Sequence, residues 1–461
     1  MRASIILTLS LTVVSAVHDY AKRDCSHDNC LRAFIGSSVD AANFCATYTT
    51  TVLTESTVLK YPIKGVNRML VPFSYTAHYF YFHFGISIKQ HLIKLFSLQL
   101  NVLYSQIGPA VAACTAISLD GISVPTNSSI NLASLKANSI VTFAGETTFA
   151  FTNSSTFNPM TFGGKNVTIT SVPGAVIDGN GQAYWDGQGS NGGVPKPDHF
   201  IVVNKMTAGS VIENLHIRNW PTHLFSISSC SNLTMRNMLL DNSAGDAPNA
   251  ISGGLPAAHN SDGFDVSTTD DSTIHDNTVY NQDDCVAITS GNNITVDNMY
   301  CSGGHGLSIG SVGGKSNNNV TNILVSKSIF SSLSKTDTLE FSNSIVVNSQ
   351  NGARIKSNYN TTGFISNITY SNISLSGISI YGIDVQQDYL NGGPTGIPSN
   401  GVIIQNLLFQ DITGTAVVGA EDYYILCGDG SCSNIVFGGV DITGGTVPST
   451  CNYPPSGCPG L

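Results

Sequence analysis

The sequence is poor in charged residues. Only 11% of its 461 residues are Asp, Glu, Lys or Arg. This scarcity argues against a mainly helical protein, because exposed helix faces are usually built from Glu, Lys and Arg. Lys and Arg together number 20, against 30 Asp and Glu, which gives a formal net charge of −10. Because the chain has no basic stripe to neutralise phosphates, we expect no nucleic-acid partner.

In place of charge, the chain is rich in glycine, with 45 residues, and in β-branched and uncharged polar side chains. This composition suits β-strands joined by tight turns. From about Asn166 onward, a loose repeat recurs in which Asn or Ser opens a short alternating apolar run. Repeats of this kind predict a solenoid with one supersecondary unit per turn. The repeats begin at Asn166, Ser210, Asn232, Ser272, Asn293, Asn319, Asn367 and Asn434, and one further apolar run begins at Val402 without the polar opening residue.

We therefore predict an all-β fold, and specifically a right-handed parallel β-helix. Asn at the corners of the turns tolerates left-handed backbone geometry, and stacked corners would let these amides form ladders. A β-sandwich or a propeller is the alternative, because strand alternation alone does not fix topology.

The N-terminus is typical of a secretory signal peptide, which we assign to residues 1–16. Arg2 supplies the positive charge and Ile5–Val14 the apolar stretch, followed by small residues at the cleavage site. The dibasic pair Lys22-Arg23 would end a short propeptide at 17–23. We expect a secreted, extracellular protein.

Eleven cysteines suit an oxidising compartment. Three pairs lie close enough in sequence for short loops to bridge, and a fourth pair spans a longer gap. Cys25, Cys30 and Cys230 are left over, and an odd count means that at least one thiol is unpaired within the chain. The four candidate pairs are Cys285 with Cys301, Cys427 with Cys432, Cys451 with Cys458, and Cys45 with Cys114.

Nine Asn-x-Ser/Thr sequons fit a glycosylated, secreted surface. Many of them coincide with the repeat, so they are also candidates for corner asparagines. The sequons are at Asn127, Asn153, Asn166, Asn232, Asn293, Asn319, Asn360, Asn367 and Asn372.

One segment at about 66–106 interrupts this pattern. It is rich in aromatic residues, and Met69–Ile88 is a charge-free stretch of about twenty residues, long enough by length to span a bilayer. Pro72 and Gly85 weaken that interpretation, and we expect no membrane association. A lid or substrate-binding insertion is another reading. We favour sequence foreign to the fold, such as a translated intron. A transcript that encodes the segment in frame would contradict this.

Four short blocks in the second half of the chain carry the chemistry. The first two, Asn260-Ser261-Asp262 and Gln282-Asp283-Asp284-Cys285, supply three carboxylates. Stacked turns of a solenoid lie about 4.8 Å apart, so residues about twenty apart in sequence become neighbours. Glycoside hydrolysis needs one protonated carboxylic acid and a second carboxylate. Clustered carboxylates meet this need, because like charges raise at least one pKa.

The other two blocks supply a histidine and two cations. Gly304-His305-Gly306 lets an imidazole project between small neighbours, where it can hydrogen-bond the acid. Arg354 and Lys356 are two residues apart and share one face of a strand. A guanidinium beside an ammonium suits the carboxylate of an anionic sugar. Taken singly, each block is also consistent with an ordinary solvated loop or strand face.

In this order, the four blocks resemble the fungal polygalacturonases, which belong to the pectin-hydrolysing glycoside hydrolases. The resemblance covers roughly Cys114 to the C-terminus, with a short piece around Cys45. It implies the pectin-lyase-like parallel β-helix and a single catalytic domain at 24–461, interrupted by the atypical insertion at about 66–106. The flanking segments also agree, namely Tyr184-Trp185-Asp186-Gly187, Gly303–Gly314, Gln387-Asp388-Tyr389 and Cys427–Cys432.

The resemblance also implies roles for the residues. Asp283 would be the general acid, Asp262 and Asp284 would activate the water, and His305 would support the acid. Asn260 would position the water-side aspartate. Arg354, Lys356 and Tyr389 would bind the galacturonate ring and its carboxylate. The candidate disulfides match those of the family, with Cys45–Cys114 stretched by the insertion.

These roles imply an endo-acting, inverting hydrolase of the α-1,4 linkages in polygalacturonate. We expect no metal and no cofactor, a polysaccharide as the one partner, and a monomer. Exo-action is an alternative, since it depends on loops that close one end of the cleft. A pectate lyase is another, with bound Ca²⁺ and a basic residue that abstracts a proton. The third alternative is an inactive pectin-binding protein on the same scaffold.

Overall fold

The computed structural model describes residues 32–34, 104–323, 339–390 and 393–459. The chain divides into two compact units, Met1–Ile117 and Ser118–Leu461. The signal peptide, the propeptide and nearly all of the insertion lie outside the described residues. So do Cys25, Cys30 and Cys45, which leaves the Cys45–Cys114 pairing a prediction.

The described secondary structure is almost entirely strand. One α-helix, α1, spans Ile107–Ala113, and three 3₁₀ turns span Gly181–Ala183, Gly189–Asn191 and Ser243–Gly245. The strands as far as the first site residues are β1 Arg32–Phe34, β2 Ala116–Asp120, β3 Ser123–Val124, β4 Ile130–Leu132, β5 Ile140–Ala144, β6 Glu146–Phe149, β7 Met160–Lys165, β8 Thr168–Ser171, β9 Val176–Asp178, β10 His199–Thr207, β11 Ser210–Glu213, β12 His216–Arg218, β13 His223–Ser228, β14 Leu233–Arg236 and β15 Leu239–Asp241.

The strands from the first site residues onward follow in the same succession. They are β16 Phe264–Ser267, β17 Thr269–His275, β18 Thr278–Tyr280, β19 Val286–Ile288, β20 Gly291–Asp297, β21 Tyr300–Ser302, β22 Leu307–Val312, β23 Asn319–Ile323, β24 Leu339–Ser342, β25 Ile345–Val347, β26 Asn351–Asn358, β27 Gly363–Ile378, β28 Tyr381–Tyr389, β29 Val402–Ala416, β30 Glu421–Leu426, β31 Cys432–Gly438, β32 Asp441–Thr443 and β33 Thr450–Cys451.

Each coil of the second unit contributes strands to stacked parallel sheets. An eleven-stranded sheet, here called the site sheet, runs in the order β33-β30-β28-β26-β22-β19-β16-β13-β10-β7-β4. Neighbours in this order are one coil apart, and their pairings are parallel. The other walls are also parallel, and the long strands β27 and β29 continue across two of them. The prediction of a parallel β-helix is confirmed.

The core follows from alternation along each strand. In the site sheet, inward-pointing side chains of successive coils stand in register, so a column of them is continuous from coil to coil. Aromatic rings stack within it, and the Phe225 and Phe264 centroids lie 5.4 Å apart. Burial of such a column stabilises the coils collectively. The buried column contains Ile201, Phe225, Phe264, Val286, Leu307, Ala353 and Ile383.

Asparagines at the corners adopt left-handed backbone geometry and form ladders, as predicted. In the longest ladder, each side-chain amide donates to the oxygen of the preceding coil. The Asn434 amide bonds Asn406 at 2.9 Å, Asn406 bonds Asn367 at 2.9 Å, and Asn367 bonds Asn322 at 2.6 Å. The φ angles of Asn367 and Asn406 are 57° and 56°. The corners are therefore fixed by backbone conformation and by hydrogen bonds together.

Replacing Asn367 should separate these two contributions. Asn367→Ala removes two ladder hydrogen bonds, worth about 0.5–1.5 kcal/mol each. It also leaves in the left-handed region a residue that tolerates this conformation less well than Asn, at a cost of about 1–2 kcal/mol. Asn367→Gly loses the same bonds without the second cost. We expect denaturant unfolding to give roughly 2–4 kcal/mol lower stability for Asn367→Ala, with Asn367→Gly about 1 kcal/mol better. Equal stabilities for the two variants would contradict the backbone contribution.

Three of the four predicted disulfides are formed, namely Cys285–Cys301, Cys427–Cys432 and Cys451–Cys458. Cys230 is buried and has no disulfide partner among the described residues. Its sulfur lies 3.4 Å from the carbonyl oxygen of Ser228. In the part of the chain that the structure describes, no helix is long and apolar enough to cross a membrane.

Candidate functional site

The predicted site residues meet at one edge of the site sheet. Asp283 and Asp284 lie between the end of β18 and the start of β19, and His305 occupies the same position one coil later. Asp262 precedes β16, one coil earlier. Because the four strands β13, β16, β19 and β22 are in parallel register, the residues just before them line up along the sheet.

Asp283 and His305 form a close pair. The His305 Nδ1 atom lies 2.9 Å from Asp283 Oδ1, and the His305 backbone N–H donates to the Asp283 carbonyl at 2.7 Å. Glycines allow this approach, because a Cβ at Gly304 would collide with the Asp283 carbonyl oxygen and one at Gly306 with the Asn351 carbonyl oxygen. The Gly-His-Gly motif therefore permits adjacent coils to close on each other and brings the imidazole to the carboxylate.

Asp284 is held by cationic and hydroxyl donors. Lys356 Nζ lies 2.7 Å from Asp284 Oδ2, and the Ser308 hydroxyl donates to Oδ1 at 2.6 Å. Arg354 Nη1 is 3.7 Å from the same Oδ1. All of these side chains are buried or nearly so. Asp284 is therefore ion-paired and hydrogen-bonded in the wall of the site.

The two cations lie beside a tyrosine ring. Lys356 Nζ is 5.3 Å from the centroid of Tyr389, and the guanidinium carbon of Arg354 is 5.6 Å from it. Both distances lie within the range of cation–π attraction. The structure thus brings together the three residues predicted to bind the sugar carboxylate.

Asn260 contacts a different aspartate from the one predicted. Its side-chain amide donates to Asp283 Oδ2 at 3.1 Å, whereas the resemblance placed it beside the water-activating carboxylate. Its own oxygen accepts bonds from the backbone N–H and the hydroxyl of Ser190, both at 3.1 Å. Asn260 therefore orients the carboxylate assigned as the acid.

The electrostatics of Asp283 and Asp262 differ in direction. Burial raises the pKa of Asp283, but the charge and hydrogen bond of His305, together with the charge of Lys356, lower it below its ordinary value. Burial also raises the pKa of Asp262, and the negative charges of Asp283 and Asp265 raise it further, well above its ordinary value. The surroundings therefore favour protonation of Asp262 and ionisation of Asp283.

Several residues near the site were missed by sequence reasoning. The row of titratable side chains along the site sheet extends toward the N-terminal coils through Asp198, His199, His223 and Asp265. The His199 and His223 rings lie 4.8 Å apart, and His223 Nε2 is 3.7 Å from Asp262 Oδ1. The available signal was the recurrence of histidine at the start of two successive site-sheet strands, β10 and β13.

Asp384 was also missed. It is fully buried, and its Oδ2 accepts a hydrogen bond from Arg354 Nε at 3.2 Å, while Oδ1 has no partner. The charge of Arg354 and the burial of Asp384 have opposite effects on the pKa of Asp384. Neighbouring carboxylates raise the pKa of Arg354, which favours an ionised Asp384, yet burial raises the pKa of Asp384 to about 7. Complete burial and the unpaired oxygen make desolvation the larger effect.

This raised pKa makes a prediction about stability and pH. The folded protein holds a proton on Asp384 between about pH 4 and pH 7, whereas the unfolded chain has released it, so the free energy of unfolding falls as pH rises through that window. Between those two pH values, Asp384 alone lowers the free energy of unfolding by roughly 4 kcal/mol. Denaturant unfolding at several pH values should give a flatter profile for Asp384→Asn. The exposed Asp429→Asn should keep the slope of the parent, and an unchanged slope in Asp384→Asn would contradict the assignment.

Three groups of described residues place histidine and carboxylate atoms within 4.8 Å of one another. Each group includes at least one histidine nitrogen. Ca²⁺ prefers oxygen ligands, so the histidine nitrogen in each group is a poor ligand for that ion. The groups are Asp198 with His199 and His223, His223 with Asp262 and Asp265, and Asp283 with Asp284 and His305.

A parallel β-helix that presents clustered carboxylates, a histidine and paired cations along one sheet is the framework of a polysaccharide-cleaving enzyme. Similarity to known proteins identifies the family of enzymes. The family model described as glycosyl hydrolases family 28 matches residues 114–459. The chain belongs to this family of glycoside hydrolases.

The chain is similar to several fungal proteins and solved structures. It is 58% identical over 357 residues to a polygalacturonase of Fusarium fujikuroi, covering 77% of this chain and 91% of that one. It is 60% identical over 356 residues to a probable endopolygalacturonase D of Emericella nidulans, covering 77% and 66%. The structure of endopolygalacturonase I from Stereum purpureum, complexed with two galacturonates, matches with a TM-score of 0.61 at 30% identity, covering 74% and 94%.

Proposed function

We propose that this chain is a secreted endopolygalacturonase. It hydrolyses the α-1,4-galacturonosyl linkages of polygalacturonate with inversion, and it acts as a monomer without a metal or cofactor. The observation that carries the proposal is the pairing of Asp283 with His305 beside two cations that converge on Tyr389. Similarity to proteins named endopolygalacturonase supports endo-action over exo-action.

Asp283 acts as the general acid. A doubly protonated His305 shares its Nδ1 proton with Asp283 Oδ1 and keeps a second proton on Nε2, so transfer of the shared proton leaves a neutral imidazole. Movement of that proton to Asp283 makes the carboxylic acid that protonates the glycosidic oxygen as its bond to the anomeric carbon breaks. Asn260 keeps the carboxyl oriented through its other oxygen. His305 thereby stores the proton that the acid delivers.

Asp262 and Asp284 serve the attacking water. Asp284 is fixed by Lys356 and Ser308, so its free lone pairs are well placed to orient a water molecule. Asp262 is less constrained, and it takes the proton from the water as its oxygen attacks the anomeric carbon from the opposite face. The product is a reducing end of inverted configuration. Asp262 must be ionised for this step.

Arg354 and Lys356 bind the substrate carboxylate. The net charge of −10 repels a polyanion at long range, so local cations must hold it. Both cations are buried among carboxylates, and a galacturonate carboxylate placed between them adds a charge-assisted contact. Tyr389 supplies a flat apolar surface for the sugar ring.

The proposal is tested by product analysis. Incubation with polygalacturonate should release oligomers of mixed length early, because endo-action cuts inside the chain. Monomer alone as the early product would indicate exo-action. Proton NMR of the new reducing ends during the first turnovers should show the inverted anomer. An unsaturated product, or loss of activity with a calcium chelator, would support the lyase instead, and binding without cleavage would support the pectin-binding alternative.

A further inference from the structure

His223 lies directly behind the proposed water-activating carboxylate. It begins β13, and the backbone N–H of the next residue, Leu224, donates to the carbonyl of Asp262 at 2.8 Å. This bond fixes the two coils against each other. The His223 side chain is 17% exposed, and its Nε2 is 3.7 Å from Asp262 Oδ1. The imidazole is therefore held beside one face of that carboxylate.

The other ring nitrogen determines what His223 can do. Nδ1 lies 2.7 Å from the backbone carbonyl oxygen of Asp198. A carbonyl oxygen only accepts hydrogen bonds, so Nδ1 carries a hydrogen in every protonation state of the bonded ring. A neutral His223 would then direct a lone pair at Asp262. Only the doubly protonated ring presents an N–H and a positive charge to the carboxylate.

The charges around His223 favour that doubly protonated state. Asp198 and Asp265 surround the ring together with Asp262, and their charges raise the pKa of His223 well above its ordinary value despite burial, which lowers it. Opposing charges come from two cationic groups. His199, whose ring lies beside that of His223, bonds Asp198 Oδ2 at 2.8 Å and Asp265 Oδ2 at 2.9 Å. Lys315 also interacts with Asp265.

Asp262 must be ionised to activate water, but most of its surroundings favour its protonated form. Asp283, Asp265 and Asp284 all act on it with negative charge, and burial acts in the same direction, so each of them favours the protonated carboxyl. Among its main described influences, His223 is the one that favours ionisation. A water-activating base must accept a proton and therefore starts ionised. The geometry supplies one cation for this purpose, on the side of Asp262 away from Asp283.

We propose that His223 is a positioning residue for hydrolysis, whose imidazolium opposes protonation of Asp262 and so favours the ionised carboxylate that activates water. The inference rests on the proposed function and assigns a second histidine to the same site. His305 and His223 then act on different carboxylates. His305 keeps a proton available to Asp283, and His223 opposes the protonation of Asp262.

The experiment compares pH profiles of kcat/KM on polygalacturonate for the parent, His223→Gln and His223→Lys, with chelator present to remove adventitious cations. The acidic limb reports ionisation of the base in the free enzyme. Removing an opposite charge at this distance should move that limb upward by about 1–3 pH units in His223→Gln, so activity below the limb falls about tenfold for each unit. His223→Lys retains a cation and should restore the limb toward the parent position.

His275→Gln is the matched control. His275 lies on β17, away from the site sheet, and its Nδ1 bonds Asp276 at 2.6 Å, so its profile should match the parent. An unmoved limb in His223→Gln, or equal displacement in His223→Lys, overturns the inference. A parent enzyme that does not cleave polygalacturonate overturns the proposed function instead, so the two failures are distinguishable.

A second measurement does not depend on activity. Nitrogen NMR of the histidine rings should give a lower pKa for His223 in Asp262→Asn than in the parent, by about one unit or more, because the two charges stabilise each other reciprocally. It also remains informative if His223→Gln fails to fold. An unchanged His223 titration in Asp262→Asn overturns the inference.

Discussion

Asp283→Asn should lower kcat on polygalacturonate by about 10²–10⁴-fold, the usual contribution of a positioned general acid. Asparagine keeps the shape of the carboxyl and can still accept a bond from His305, but it cannot deliver a proton to the leaving oxygen. The fold should persist, because Asp283 lies in the segment before β19 and contributes no core side chain. Initial rates of reducing-end release measure the effect.

Two comparisons make this result specific. Asp429→Asn, at an exposed position far along the chain, removes a carboxylate elsewhere and should leave kcat unchanged. Thermal melting of Asp283→Asn should stay close to that of the parent. Substantial residual turnover in a folded Asp283→Asn would transfer the acid role to another carboxyl, and Asp262, whose surroundings favour protonation, would be the first candidate.

Lys356→Met should damage both activity and stability. Lys356 is buried and its ammonium lies 2.7 Å from Asp284, so its removal leaves a buried carboxylate without its closest cation. Breaking such a pair typically costs about 3–5 kcal/mol of unfolding free energy. The substrate carboxylate loses a cation as well, and we expect kcat/KM to fall at least about 30-fold.

A double variant separates the two effects of Lys356→Met. Adding Asp284→Asn removes the uncompensated charge, so stability should recover in part while activity remains low. The surface variant Lys165→Met should affect neither property. If the double variant were no more stable than Lys356→Met, the loss would come from packing rather than from the buried charge.

The fold was predictable because a β-helix repeats the same local rule. Short alternating runs separated by asparagine are visible in sequence, and the ladder from Asn434 to Asn322 follows from stacking them. The four site blocks were also visible, because glycines and paired charges are distinctive. Three disulfides joined cysteines close in sequence, where few pairings compete.

The remaining part of the site depends on register that sequence does not specify. His223 and Asp262 are 39 positions apart, and the loop between β15 and β16 breaks the repeat spacing that would have aligned them. In the sequence, Asp384 looks like any other aspartate on a strand. Only the packing of β26 on β28 reveals that it is buried against Arg354. The resemblance placed Asn260 beside the water-side aspartate, whereas its side-chain amide bonds Asp283, and both aspartates lie within one coil of it.

The asparagine ladders give the solenoid a polarity. An amide inside a ladder both donates to the coil before it and accepts from the coil after it, whereas an ionised carboxylate can only accept. Accordingly, Asp271, Asp276 and Asp297 each receive an amide from a later coil, at 2.6, 2.6 and 2.9 Å. An aspartate can therefore start a ladder but cannot continue one. Deamidation of Asn367 with age would create such a start in the middle, splitting one ladder into two at that coil.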